Sequence, residues 1–308
     1  EFNVCGKIEV RRMHLNIFVS QSCFVHCKGC YSFSREEEKG KTIPTKELID
    51  FLKFVYNSGC KKITLCGGDP LTREDIVELL EKIKEIGFTI SLDTVGSPII
   101  KDIVSDNGVL IRKMDAKKIA ELVDVIGIPI DGSNNEIFRR FRQTNVDIVN
   151  EQLTVCEELN KFGAYICINT VAHKGNLVDA YELAKIIKKR DYINKWQIFQ
   201  YEPLGKYGLK NRELFEITDK EFLNFQSAVL EVFDNDISKL QFKSSFNRKN
   251  AYMLIDNSGN AWIPALENMS LSEYSYILND NVIIGNIVNR NDWCKICSHL
   301  DREFYSKL

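Results

Sequence analysis

Ser22-Cys23-Phe24-Val25-His26-Cys27-Lys28-Gly29-Cys30-Tyr31 sets three cysteines at the spacing C-x3-C-x2-C, directly after the apolar run His14-Leu15-Asn16-Ile17-Phe18-Val19-Ser20. Thiolates are soft ligands that suit iron–sulfur clusters or zinc. A [4Fe–4S] cluster usually takes four cysteines. Three on one loop would hold three irons and leave the fourth open to bind a small molecule. A zinc site would want a fourth Cys or His nearby. His26 is adjacent to Cys27, where strain makes it a poor ligand, and Cys60 is thirty residues on. From the spacing alone, cluster, zinc and three unligated thiols all stay open.

A second stretch follows at Lys62-Ile63-Thr64-Leu65-Cys66, which reads as a buried strand ending in Gly67-Gly68-Asp69-Pro70. Paired glycines at a strand end let backbone approach a ligand closely. Taken together, the cysteine triad after a first strand and Gly-Gly-Asp-Pro after a second resemble the radical SAM superfamily, with Asp69 where Glu is commoner. The resemblance implies a [4Fe–4S] cluster on Cys23, Cys27 and Cys30. It also implies S-adenosylmethionine chelated to the open iron, and reductive cleavage to a 5′-deoxyadenosyl radical that takes a hydrogen atom from substrate. A one-electron donor such as flavodoxin or ferredoxin would supply the electron.

The chain has 308 residues, 44% apolar and 27% charged, with a formal net charge of −2. That length buries a sizeable core, and one large domain plus a small appendage is the expected organisation. The charge balance gives no reason to expect nucleic acid. No apolar run reaches the ~18–20 residues of a membrane span, and no signal peptide is visible. Ten cysteines without a framework spacing point to a reducing cytoplasm.

Strand and helix patterns alternate along the chain. Strands are expected at His14–Ser20, Lys62–Cys66, Phe88–Asp93, Val125–Asp131, Tyr165–Thr170 and Lys195–Tyr201. Helices are expected at Thr45–Asn57, Thr72–Ile86 with Thr72 as N-cap, Lys117–Val123, Asn134–Asn160, Leu177–Arg190 and Thr218–Phe233. Residues 97–115 read as an insertion around the turn Asp106-Asn107-Gly108. Six βα units imply a parallel α/β sheet, and the resemblance makes it a partial (β/α)6 barrel. Residues 1–13 would form an arm carrying Cys5, residues 14–236 the barrel and residues 237–308 an appendage.

That appendage reads as a hairpin at Leu254–Pro264, then Val282–Ile287 and Trp293-Cys294-Lys295-Ile296-Cys297. With Ile130-Asp131-Gly132 and Arg142, it resembles the SPASM/Twitch subgroup. Ala265 stands after Pro264 where that subgroup has Cys, which implies a degenerate Twitch-like tail without an auxiliary cluster. Cys294 and Cys297 would then be a relic, a zinc half-site, a redox pair or two buried tail cysteines.

The resemblance assigns further roles. Tyr31 would lie near adenine or simply pack. Gly67, Gly68 and Asp69 would meet the methionine amino group, and Thr94 and Arg142 its carboxylate, with a surface role open for Arg142. Asp131 would bond ribose, Asn169 ribose or carboxylate, and the main chain of Gln200 and Tyr201 would border adenine. Cys167, on the same strand face as Asn169, is a candidate hydrogen donor or core residue, and His173 a candidate loop base. Cys66 and Cys156 are further thiol candidates. The Twitch-like tail points to a substrate that is a ribosomal peptide, crosslinked or epimerised. Trp196–Tyr201 resembles viperin-like, nucleotide-acting members, which keeps a small-molecule or nucleotide substrate as the alternative. Cys27–Tyr31 and Gly67–Leu71 also resemble the shorter activase of anaerobic ribonucleotide reductase, which has no such tail. A non-catalytic metal-binding role is the option outside enzymes.

Overall fold

The computed structural model describes residues 13–32, 42–144, 147–248, 251–263 and 283–300. Cys5, Pro264 and Ala265 lie outside the described residues, as does most of the N-terminal arm. Six parallel strands appear where the alternation places them: β1 His14–Ser20, β2 Lys62–Gly67, β3 Thr89–Asp93, β4 Val125–Pro129, β5 Ile166–Ala172 and β6 Ile193–Gln200. They run in sheet order 6-5-4-3-2-1, each neighbour parallel. Helices cover the outer face. The first, Thr45–Asn57, buries Leu48, Ile49, Phe51, Leu52 and Val55 along one stripe, the spacing a core-facing helix requires. The next, Ile76–Ile86, ends on Gly87 in the left-handed region at φ 103°, a conformation glycine adopts without a Cβ clash. The architecture is a partial (β/α)6 barrel.

The sheet continues past the six expected strands. Leu240–Lys243 forms β7, parallel to β6. On the opposite side Tyr252–Ile255 forms β8, parallel to β1, and β9 (Asn260–Trp262) and β10 (Ile283–Asn286) follow antiparallel. The result is one ten-stranded sheet, so the expected tail hairpin is present but is stitched onto β1. The tail helix Trp293–Ser298 docks through Trp293, which packs edge-on to Phe51 with ring centroids 5.7 Å apart.

Two expectations are corrected. The helix read as starting at Thr72 starts at Ile76. Thr72 sits instead in a 3-10 turn at Pro70–Thr72, its hydroxyl 2.6 Å from the Asp69 carbonyl and 3.1 Å from that of Ser22. The next residue, Arg73, is buried and donates to the Val19 and Ile43 carbonyls, Thr45 and Asp75. The turn is thus anchored to the end of β1 before the helix begins. The long helix read across Asn134–Asn160 is broken into Asn135–Phe141 and Ile148–Asn160. Between them Arg142-Gln143 pairs antiparallel with His26-Cys27 of the cysteine loop.

Candidate functional site

The cysteine loop leaves β1 and is clamped from three directions. Cys23 N–H donates to the Asp106 carboxylate at 3.0 Å, and Asp106 N–H donates back to the Cys23 carbonyl at 2.9 Å. The insertion at 97–115 therefore braces the first cysteine. Lys28 N–H donates to the Phe141 carbonyl at 2.9 Å, and Asn211 Nδ2 donates to the Lys28 carbonyl at 2.8 Å. Gly29 rests on Phe141 and Tyr201; a Cβ there would lie 2.4 Å from the Phe141 ring. From below come the glycines of the second motif. Gly68 N–H donates to the Ser20 carbonyl at 2.7 Å and Asp69 N–H to the Ser22 carbonyl at 2.6 Å. A Cβ on Gly68 would sit 2.1 Å from the Ser22 oxygen, and Gly67 has φ +132°. Only glycine fits both places, so the two motifs are built as one unit.

Among the described residues, no three His, Cys, Asp or Glu side chains converge as ligands of a single metal ion. Cys23, Cys27 and Cys30 carry free thiols. A polynuclear cluster offers each thiolate its own iron, so it needs no such convergence, whereas one tetrahedral zinc does. The donor set fits a cluster better than the zinc alternative. Arg142 Nη1 donates to Cys27 Sγ at 3.4 Å, which favours the thiolate.

The other expected residues fall into three groups. The first laces strand ends together. Asp69 Oδ1 accepts from Leu71 N–H at 3.0 Å and from the Thr94 hydroxyl at 2.7 Å, and Oδ2 from Val95 N–H at 2.6 Å. Asp131 is fully buried, accepting from Val171 N–H at 2.7 Å and from Arg142 Nε. Burial alone would lower the Arg142 pKa, but Asp131 and Cys27 outweigh it and push it up. Asp131 and Arg142, read as ribose and carboxylate contacts, are thus engaged with each other.

The second group is buried against neighbouring elements. Gln200 turns outward: Nε2 donates to Ile217 O and Asp219, and Oε1 accepts from Ser245. The Tyr201 hydroxyl donates to the Gly208 carbonyl at 2.9 Å. His173 is buried and stacked on Phe141 at 4.7 Å, with Nδ1 accepting from Gly175 N–H. Burial holds its pKa down at about 4, so it is a neutral ring in an aromatic cluster rather than an open loop base. Cys156 is buried on a helix outside the sheet.

The third group faces the lumen. Register places Asp93, Gly127, Cys167 and Lys195 in one row across β3–β6, with Asn169 beside Gln197 one row above. Residues paired across parallel strands share a face. Asn169 Nδ2 donates to Asp93 Oδ1 at 3.0 Å, and Cys167 Sγ lies 3.7 Å from Asn169 Oδ1. Burial, then the Asp93 charge, raises the Cys167 thiol to about 12, so it keeps its hydrogen. Tyr31 packs edge-on to Phe18 at 5.7 Å and hydrogen-bonds Cys66. On the β1 wall His14 shares a 2.8 Å hydrogen bond with Thr64.

Several lumen residues escaped the sequence reading. Lys243 closes β7, its ammonium 4.8 Å from the Phe199 ring centroid, and Arg248 lies 5.7 Å from the same ring and 3.3 Å from Glu202. Lys195 and Lys243 form no ion pair among the described residues. Burial lowers Lys243 to about 8, against the pull of Cys167 and Asp93, and burial lowers Lys195 as well. Asn16 Oδ1 and Arg248 Nε are buried without a partner. The signal for Lys195 was available: it begins strand six in phase with Gln197. Lys243 was hidden because β7 is only four residues long.

Among the described residues, no helix is long and apolar enough to cross a membrane. In sequence, the chain is 24% identical over 253 residues to an S-adenosylmethionine-dependent nucleotide dehydratase of Lacinutrix mariniflava, covering 80% of this chain and 49% of the relative. It is 26% identical over 226 residues to a GTP 3′,8-cyclase of Aliarcobacter butzleri, covering 70% and 65%. The chain thus spans about half of the first relative and just under two thirds of the second. In shape it resembles SuiB of Streptococcus suis bound to precursor peptide SuiA, with a TM-score of 0.69 and 16% identity over 96% of this chain and 66% of that one. It also resembles anSMEcpe with bound AdoMet, with a TM-score of 0.63 and 16% identity over 94% and 82%. The family model described as the radical SAM superfamily matches residues 17–209, which contain both motifs, the second half of β1 and all of β2 to β6, and the chain belongs to that superfamily.

Proposed function

We propose that this protein is a radical SAM enzyme whose substrate is a small anionic molecule of the nucleotide kind, held in the barrel lumen beside the cluster loop. The superfamily works with a [4Fe–4S] cluster and S-adenosylmethionine. Cys23, Cys27 and Cys30 would hold the cluster, while Gly67, Gly68 and Thr94 line the strand ends beside it. When bound, these groups supply the adenosyl radical that removes a substrate hydrogen. A reducing cytoplasm suits an open cluster.

One observation carries the choice of substrate: Lys195 and Lys243 face the lumen with no anionic partner among the described residues, while Arg248, which shares the Phe199 ring with Lys243, is paired with Glu202. Buried cations are kept only when something pairs with them. At neutral pH Lys243, near 8, stays largely protonated. A phosphate group answers that need, and two relatives named for nucleotide substrates point the same way. The peptide substrate expected from the tail has no comparable lumen feature behind it. Cys167 remains the lumen thiol best placed to return a hydrogen atom, since it shares a row with Asp93 and Lys195.

The test is anaerobic. The reconstituted protein is reduced with dithionite, and 5′-deoxyadenosine is quantified with no addition, with each ribonucleoside triphosphate, and with a precursor peptide. Stimulation by a nucleotide, lost on Lys243→Ala, is the expected outcome. Stimulation by peptide alone would overturn it.

A further inference from the structure

Resting on that reading, we propose that Asp93 is the specificity-determining carboxylate of the lumen, accepting a hydrogen bond from a donor group of the substrate, an amine, ring N–H or hydroxyl, at the end away from the phosphates. Asp93 ends β3 with its side chain in the lumen, and its row neighbour on β4 is Gly127. A Cβ on Gly127 would lie 2.1 Å from Asp93 Oδ1 and 2.6 Å from Asn169 Nδ2. The missing side chain is what lets Asn169 reach across β4 and fix one carboxylate oxygen at 3.0 Å. The other oxygen, Oδ2, has no hydrogen bond within the protein among the described residues.

The groups whose charge reaches Asp93 come from every side of the barrel. They are Cys66 on β2 with Tyr31 of the cysteine loop, Cys167 on β5, Lys243 on β7, Tyr252 on β8, and Arg142. Two are cations, yet none stands within ion-pair distance. Burial therefore prevails, and the Asp93 pKa rises to about 6 against the pull of Lys243, Asn169 and Arg142. A carboxylate so placed is charged at neutral pH and poised to take a proton or a donor hydrogen bond. The lumen thus has two unlike walls: Lys195 and Lys243 for an anion, and Asp93 with Asn169 for a donor. A ligand with phosphates at one end and an N–H or O–H edge at the other fits both.

The experiment measures binding of the four ribonucleoside triphosphates to the cluster- and S-adenosylmethionine-loaded protein, without reductant, from pH 5 to 8. Wild type and Asp93→Asn are compared for each ligand, so the ligand's own phosphate titration cancels. Iron content and melting temperature confirm that the variant is folded. If Asp93→Asn does not load, Asp93→Ser replaces it. Losing a hydrogen bond to a charged group costs about tenfold to a hundredfold in affinity. The expected result is a loss of that size at pH 7.5, greatest for one base or one hydroxyl pattern, and a wild-type-to-variant ratio that collapses below pH 6. Equal affinities and parallel pH profiles, with nucleotide still bound, overturn the role of Asp93 and leave the anionic-substrate reading intact. If wild type binds no nucleotide at any pH, that reading falls and this proposal with it.

Discussion

The Thr94 hydroxyl donates to the Asp69 carboxylate at 2.7 Å, joining the end of β3 to the loop after β2. The same carboxylate takes Val95 N–H and Leu71 N–H, so three donors converge on one buried charge. This explains how Asp69 works where glutamate is commoner in the superfamily: it turns inward and staples two strand ends, fixing the loop against which the cysteine loop rests. Asp69→Ala would leave those donors unsatisfied, at about 1–3 kcal/mol each if water does not enter. We expect a loss of ~3 kcal/mol or more in urea unfolding, together with weaker S-adenosylmethionine binding. Asp69→Glu should recover only part of it, because a longer chain cannot keep both the Thr94 and Val95 bonds.

Arg142 and Asp131 form a buried ion pair at the back of the cysteine loop. Removing one partner of such a pair typically costs about 3–5 kcal/mol, because the other charge is left buried. Arg142→Met should therefore destabilise by roughly that much. It should also slow cluster uptake, since the donor at Cys27 Sγ disappears. The double variant Arg142→Met/Asp131→Asn should be less destabilised than Arg142→Met alone. Additive losses in a double-mutant cycle would show that the two side chains act separately.

Much of this arrangement is legible from the chain. His14–Ser20 and Thr45–Asn57 match the observed elements residue for residue, because the apolar periods there are clean. Cys23, Cys27 and Cys30 are readable because their spacing is local. What pairs with what is not local. Nothing near Asp131 announces Arg142, and nothing near Asn169 announces Asp93, because both contacts cross between strands. Gln200 is expected to border adenine through its main chain, and strand phase turns its side chain outward with Trp196 and Ile198. The break at Arg142 is invisible because its cause, pairing with Cys27, lies 115 residues away.

Acid should weaken the fold, and the sign follows from three buried groups. His14 and His173 are held neutral by burial, each with a pKa near 4 rather than 6.5. A lowered histidine means the unfolded chain binds the extra proton, so stability is complete above about pH 6.5 and falls towards pH 4. Asp93, raised to about 6, acts in the opposite direction: between about pH 6 and 4 the folded state holds its proton more tightly. Two histidines against one carboxylate leave a net uptake of about one proton on unfolding, or roughly 1.4 kcal/mol per pH unit. Urea midpoints at pH 7, 6 and 5 should fall accordingly. His14→Asn should flatten the slope, and Asp93→Asn should steepen it. A midpoint independent of pH across that range would contradict the neutral, buried state of both rings.

Cluster count separates the barrel from the tail. Three thiols lie on the loop between β1 and β2, while Cys294 is exposed and Cys297 buried on the tail helix. A helix places residues three apart on one face, so this pair could share a small ion. An auxiliary [4Fe–4S] cluster, however, ordinarily draws on four cysteines. After anaerobic reconstitution the protein should bind about four irons and four sulfides, one cluster's worth. Replacing Cys23, Cys27 and Cys30 with alanine should remove them all, and Cys294→Ala/Cys297→Ala should remove none. Retention of about four irons in the triple variant would establish a second cluster, and with it an oxidative role for the tail that favours peptide over nucleotide chemistry.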